Sequence, residues 1–467
     1  MDYGARLEPM PFSQLPSGAD LQPKISTRVP GRRWRIAFVL ALGVLVNYFD
    51  RINLSVSRDA LHDSFGLSLV AFGYLSSAFS WTYALMQMPC GVLLDRWGVR
   101  RVGRISAFLW SVSSFAAALA PGLGWFFGAR LLLGVSESPI FPANAKAMGN
   151  WFTREERTLA TALTDAAAKF STGIGVPLIG VLLLYFGWRW SFAATGFISL
   201  IYFLLFYLIY QNPTEDKGLS PEELEFIRQG GAQAGETSGG EGQSGGVSLQ
   251  DHARKRGSSL GYLLTQRKVY GLALGWGAYN YTFYLLLTWL PSYLSVSLHI
   301  DLFHSFFYTS VPWLFATFTD IFFGGWLVDV LIRRGWDANR VRKTVMVGGV
   351  ACGLAIYGAA SSHTPTAALV WISIAIGGLS AAAPVAWTVP SLIAPPEGVG
   401  KVASVANLCG QISAISAPIV TGYIVSVTHS FASAFVTATA ILLVGIFGYV
   451  VLLGRIEPIP QPAEVLQ

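Results

Sequence analysis

Beyond about residue 35 the chain reads as long apolar runs broken by short polar or glycine-containing turns. Runs of about 20 residues recur from end to end, each long enough to cross the hydrocarbon core of a bilayer as a helix. The pattern predicts twelve spans, at roughly 36–58, 69–93, 103–120, 125–148, 158–186, 190–211, 268–296, 304–331, 343–361, 366–391, 400–426 and 431–453. Between the sixth and seventh the pattern fails. GGAQAGETSGGEGQSGG at 230–246 is too poor in apolar residues to offset its own ordering and reads as a flexible linker. Just before it, LSPEELEFIRQ predicts a short amphipathic helix with Ser220 as N-cap and Glu223 three residues on, the capping-box arrangement.

The predicted organisation is a tail (1–35), a six-helix bundle (36–211), a linker (212–267), a second six-helix bundle (268–453) and a second tail (454–467). The halves also share a local pattern. GVLLDRWGVRR follows span 2 and GWLVDVLIRRG follows span 8. In each, a glycine (Gly91, Gly325) is followed four residues later by an aspartate (Asp95, Asp329) and then by a basic cluster. The fold class expected is therefore an all-α membrane protein with two pseudo-symmetric six-helix bundles. Duplicated halves of this kind belong to transporters that expose a central site alternately to either side.

Composition agrees: 53% of the 467 residues are apolar and 12% charged, too few charges to cover a soluble protein of this length. Where the charges sit matters more than the net +6. Basic residues precede span 1 (Arg32, Arg33, Arg35) and fill alternate loops: Arg96, Arg100, Arg101 and Arg104; Arg154 and Arg157; Arg254, Lys255 and Arg256; Arg333, Arg334, Arg342 and Lys343. The intervening loops, PGLG at 121–124 and SSHTPT at 361–366, carry almost none. By the positive-inside rule both termini and the linker are cytoplasmic, which agrees with an even number of spans. The first 30 residues lack the pattern of a cleaved signal peptide, so span 1 itself is expected to direct insertion. Three cysteines in or beside apolar spans point to neither a disulfide framework nor a metal site. The loops contain no hydrolase, metalloprotease or nucleotide-binding motif, which speaks against an enzyme.

GVLLDRWGVRR matches, residue for residue, the G-x-L-x-D-R-x-G-x-R-R loop of the major facilitator superfamily. NYFDR, YALMQMPCGVLLDRWG, RLLLGVSESPIFPA, NWFTREERTLATAL and TWLPSYL resemble its anion:cation symporter branch, which includes bacterial sugar-acid/H+ symporters for galactonate, glucarate and hexuronates. The resemblance implies proton-coupled uptake of an organic anion, with the proton as coupling ion; a bacterial inner membrane is the expected location, and a monomer suffices for this architecture. No cofactor, metal or nucleic acid is expected. An exporter or antiporter of the same fold is the alternative. The gate motif (Gly91, Asp95, Arg96, Gly98, Arg101, with Asp329 in the second half) is expected to latch one side, Asp95 engaging a neighbouring helix end and the arginines.

Ionisable residues inside the spans are costly unless they face protein or water, and they mark functional sites by default. Those counted are Asp50, Arg51, Arg130, Glu137 and Lys169, with Asp320 in the second half. Neighbours in a helix diverge by about 100°, so one member of the Asp50–Arg51 pair faces a cavity while the other turns toward an adjoining helix. Pro139 and Pro142 follow Glu137 and are expected to kink span 4 there. The resemblance assigns Asp50 and Glu137 as proton carriers, and Arg51 and Arg130 as groups that engage the substrate carboxylate or hold the acids. Lys169 is read either as a second substrate anchor, the preferred reading, or as the partner of an acid. Ionised, these five groups sum to +3 and −2. Protonating an acid therefore favours anion binding, and by linkage the anion favours the proton. The second half offers Tyr279, Asn280 and Tyr284 in span 7, Trp387 in span 10, and Asn407 and Gln411 in span 11. Family comparison favours Trp387 and Asn407, with Tyr48 and Tyr83 in the first half. Trp188 and Trp190 read as interfacial belt residues. Asp320 has no assigned role.

Overall fold

A computed structural model describes residues 31–153, 156–232, 259–362, 364–395 and 398–460. The polar leader before residue 31, Arg154, the greater part of the Gly/Ser-rich linker with Arg254, Lys255 and Arg256, and the end of the second tail lie outside the described residues. The described residues contain helices and no strand.

All twelve predicted apolar spans fall on helix. Span 1 is Arg32–Val56. Spans 2 and 3 form one helical run, Leu69–Ala118, broken at Gly98, whose φ of 72° lies where only glycine fits without strain. Span 4 is Leu123–Glu137 and, past Pro139, Ile140–Trp151, so the break falls where the prolines placed it. Spans 5 and 6 share Arg157–Ile209, interrupted at Gly187. Span 7 is Arg267–Ser297. Span 8 begins as Leu302–Thr319, widens into a π-helical stretch, Asp320–Leu327, and ends as Val328–Arg333. Spans 9 to 12 follow as Ala338–Gly353 with Ile356–Ala360, Pro365–Ile393, Val399–Thr428 and Phe431–Phe447.

Span 1 packs on the span 5–6 run, spans 2 and 3 on span 4, span 7 on spans 11 and 12, and span 9 on span 10. Two large seams join the first six spans to the last six, span 2 against span 11 and span 5 against span 8, and span 1 also meets span 7. Large apolar side chains such as Phe38, Phe197, Leu208, Val436 and Phe447 stand exposed around the outside. Such a surface is stable in a bilayer, where hydrocarbon is the solvent.

The seam of spans 2 and 11 is tight at one end and parted at the other. A Cβ on Gly73 would stand 2.6 Å from the Pro418 carbonyl oxygen, and one on Gly422 would stand 2.6 Å from that of Leu69. The backbones of spans 2 and 11 therefore touch at the end away from the termini. Gly91 and Gly400 lie eighteen residues, or five turns, along the same helical faces from Gly73 and Pro418. Both meet nothing within 4 Å. This seam is open toward the end where the termini lie and closed at the other.

At the open end, Pro221–Gln229 is helical, and Ser220 accepts from the Glu223 amide at 3.1 Å, as its N-cap position predicts. The box does not close, however. The Glu223 carboxylate turns to span 1, where it accepts the backbone N–H groups of Arg32 and Arg33, each at 3.1 Å, and Arg33 Nη1 at 2.9 Å. These amides have no partner within their own helix, and the negative charge also complements the helix N-terminus. Arg32 Nε bonds Asp216 at 2.9 Å, so the start of the linker is fastened to the first half.

Candidate functional site

Asp50 and Arg51 diverge as their helical positions require. Asp50 turns into the first six spans, where Ser114 Oγ donates to Oδ1 at 2.6 Å and Ser199 Oγ donates to Oδ2 at 2.9 Å. Its backbone carbonyl accepts from Arg130 Nη1 at 3.2 Å. Arg51 points the other way, its Nε donating to Glu137 Oε2 at 3.0 Å. Its guanidinium carbon lies 4.5 Å from the ring centre of Phe79, 4.8 Å from that of Tyr48 and 5.4 Å from that of Tyr83, a cation–π cage. All four charged residues are at least nine-tenths buried.

Arg51 and Arg130 line a small cavity with Phe79 and Ser80 of span 2, Tyr284 and Thr288 of span 7, and Pro418 of span 11, so the site lies where the two halves meet. Buried polar atoms in its lining and just behind it have no hydrogen-bond partner within the protein: Arg51 Nη2 and Arg130 Nε in the lining, Glu137 Oε1 and the side-chain amide of Asn47 behind. Such atoms are unfavourable unless water or a solute engages them. Two guanidinium groups with free donors stand near one carboxylate with a free oxygen, a donor set whose chemistry suits an anion.

On the far wall, Tyr279 stacks on Trp276 with ring centres 5.0 Å apart, and Trp276 meets Trp387 edge-on at 4.8 Å. Asn280 Nδ2 donates to the Trp276 carbonyl at 2.8 Å. Trp387 is 49% exposed, while Asn407 and Gln411 are partly buried on span 11. Tyr48, Tyr83 and Tyr284 thus gather around Arg51, whereas Tyr279, Asn280 and Trp387 form a separate aromatic cluster of the second half.

Lys169 does not present a free ammonium in this conformation. It donates to Asp165 Oδ2 at 2.5 Å and to Asp320 Oδ2 at 3.1 Å, the arrangement of the alternative reading rather than of the substrate anchor. Asp320 thereby acquires a partner, and Asp165, which the count of intramembrane charges omitted, belongs with them. An i,i+4 pair with Lys169 was the signal that could have found it. In the gate motif, Asp95 Oδ1 pairs with Lys146 Nζ of span 4 at 2.6 Å rather than with the arginines. Its counterpart Asp329 lies 4.0 Å from Arg333. Trp188 is also not a belt residue: it is packed against Phe126 and Phe192 and donates to Ser64 at 2.9 Å, while Trp190 is exposed. Ser114, Ser199 and Phe79 carry no signal in a single sequence.

Twelve apolar spans around a charged site at the junction of two six-span units define a multi-pass membrane transporter. The Major Facilitator Superfamily profile matches residues 40–418, and the chain belongs to that family. It is 38% identical over 432 residues to the uncharacterized transporter YybO of Bacillus subtilis, covering 92% of this chain and 96% of the relative. It is 32% identical over 435 residues to a D-galactonate transporter of Escherichia coli O6:H1 (93% and 98% covered). Identity is 33% over 440 residues to the probable galactarate/D-glucarate transporter GarP of Escherichia coli K12 (91% and 95%). Among solved structures, a bacterial homologue of the human lysosomal transporter Spinster, inward-facing and unoccupied, superposes with a TM-score of 0.67 at 16% identity, covering 90% of this chain and 97% of that one. A D-xylose–proton symporter superposes with a TM-score of 0.66 at 14% identity, with the same coverage. These structural likenesses concern the fold.

Proposed function

We propose that the protein is a proton-coupled symporter that takes up an organic anion, most simply a sugar acid such as D-galactonate or D-glucarate, by alternating access. The observation that carries this is the Arg51–Glu137 pair at 3.0 Å, whose arginine lines the cavity between the halves. An anion reaching Arg51 competes with Glu137 for the same guanidinium. Protonating Glu137 releases Arg51 to the anion, so proton and substrate bind together better than either binds alone. Asp50, held by two serines and facing away from the cavity, is the second proton carrier. Arg130 holds the Asp50 carbonyl and the cavity wall. Arginine suits the anion because it stays charged and grips a carboxylate with two donors. The aromatic and amide groups of spans 7, 10 and 11 suit a polyhydroxylated ligand.

In this reading residues 36–211 and 268–453 are the two units that rock, and both termini face the cytoplasm of a bacterial cell. The conformation described is then the inward-open one. Relatives named for galactonate and for galactarate/D-glucarate support the choice of substrate class. The test is reconstitution of the purified chain in liposomes with labelled D-galactonate or D-glucarate. An inward proton gradient should drive accumulation above equilibrium. Extrusion from preloaded vesicles under that gradient would instead establish the antiporter. A screen of carboxylates for thermal stabilisation identifies the preferred anion, and no stabilisation by any of them would sink the anion reading.

A further inference from the structure

One buried charge cluster is not used by the central site. Lys169 of span 5 donates to Asp165, one turn earlier, and to Asp320 of span 8, so the cluster bridges the seam between the halves. Lys169 and Asp320 side chains are each 3% exposed, and Asp165 is 28% exposed. Two carboxylates share one ammonium, which leaves the ionised triad with one negative charge too many.

Nothing nearby supplies the missing positive charge. The phenols of Tyr48 from span 1 and Tyr279 from span 7 face the triad, and Arg51 lies beyond Tyr48, already paired with Glu137. Span 10 meets the π-helical stretch of span 8 at Ala381 and Pro384 and brings no ionisable side chain. Asp320 Oδ1 is buried without a hydrogen-bond partner. The Asp165 and Asp320 carboxyl groups meet at the same ammonium, with one oxygen of each 2.5 Å and 3.1 Å from Lys169 Nζ. Two carboxylates that meet in a buried place repel unless they share a proton, as paired acids do. A single proton would cancel the excess charge and turn the repulsive contact into an O–H···O bond. Asp320 also opens the π-helical stretch Asp320–Leu327, a geometry that recurs at functional positions within helices.

We infer that Asp165, Lys169 and Asp320 form a second proton-binding site, in which one proton is shared by the two carboxyl groups across the seam between spans 5 and 8. The inference deepens the proton-coupled reading above and rests on it. The proton is loaded from the side closed here when that side opens. It leaves through Asp165, the member that reaches the open end. The triad then adds a proton to those carried by Asp50 and Glu137, and it couples that proton to the sliding of span 5 on span 8.

The test compares the wild-type chain with Asp320→Asn and Asp165→Asn in liposomes, using labelled D-galactonate and a pH-sensitive dye to count protons per substrate. Either variant leaves a neutral Lys–Asp pair with no excess charge. Both should therefore transport with one proton fewer per substrate. Infrared titration of the protein without substrate gives a second readout: the protonated-carboxyl band should lose one group in each variant and persist in Lys169→Met. An unchanged proton count together with an unchanged band in both variants would overturn the inference. If the wild-type chain shows no proton-driven uptake, the symport reading fails on its own, and the infrared band alone then decides whether the triad binds a proton.

Discussion

Replacing Glu137 by Gln tests the competition at the centre of the proposed mechanism. Gln keeps the length of the side chain and an oxygen that can accept from Arg51 Nε, but it removes a charge 3.0 Å from the guanidinium. At that separation the gross attraction is roughly 5 kcal/mol for an effective dielectric constant of about 20. Most of it is offset by the cost of keeping two ions out of water. Exchanging a charge-assisted hydrogen bond for a neutral one leaves a net stability loss of about 1 kcal/mol, so the variant should fold. Binding should change more. The four-residue set of Asp50, Arg51, Arg130 and Glu137 passes from neutral to +1, and the anion no longer displaces a carboxylate. Coupling energies of about 1–3 kcal/mol predict roughly 5- to 150-fold tighter binding of D-galactonate under alkaline conditions. The advantage should vanish in acid, where wild-type Glu137 carries its proton. Wild-type affinity should thus rise as pH falls, while the affinity of the variant rises less, by the share that Glu137 contributes. Titration calorimetry at several pH values measures both slopes, and vesicle assays should find substrate exchange retained and gradient-driven accumulation reduced, with one proton fewer carried per substrate. Weaker alkaline binding than wild type, or a pH slope equal to that of wild type, would refute the competition between Glu137 and the anion.

Three further outcomes are expected. Arg51→Lys keeps the charge but loses the planar fork and the stacking on Tyr48, Phe79 and Tyr83. It should lower stability by about 1–3 kcal/mol and weaken anion binding at least tenfold, read by thermal unfolding with and without ligand. Gly422→Leu places side-chain atoms where the Leu69 carbonyl stands 2.6 Å away. The closed end should then be forced open, raising thiol labelling of a cysteine placed at Ser76, and unchanged labelling would contradict the packing described. Glu223→Ala leaves two helix-end amides and Arg33 without their shared acceptor. That should cost about 2–4 kcal/mol of local stability and speed hydrogen exchange over residues 216–229, with no change in substrate affinity.

The sequence by itself determined the spans, the gap between spans 2 and 3 that holds Gly98, the kink after Glu137 and the four charges at the centre. Each of these follows from local chemistry: about 20 apolar residues in a row can do little but span, glycine alone tolerates a φ of 72°, and a buried charge must have a use. What only the tertiary structure decided is which partner each group takes. Asp50 meets Ser114 and Ser199, Asp95 meets Lys146 rather than an arginine, and Glu223 leaves its own helix to cap span 1. Lys169, read from its position as a substrate anchor, is occupied by Asp165 and by Asp320, which lies 151 residues further along the chain. These choices depend on how helices distant in sequence are rotated and shifted against one another. A rotation of one residue, about 100°, exchanges the side chain that meets a neighbour for one that faces lipid. Periodicity locates a helix and its apolar face, but it carries no information about that relative rotation, which packing alone sets.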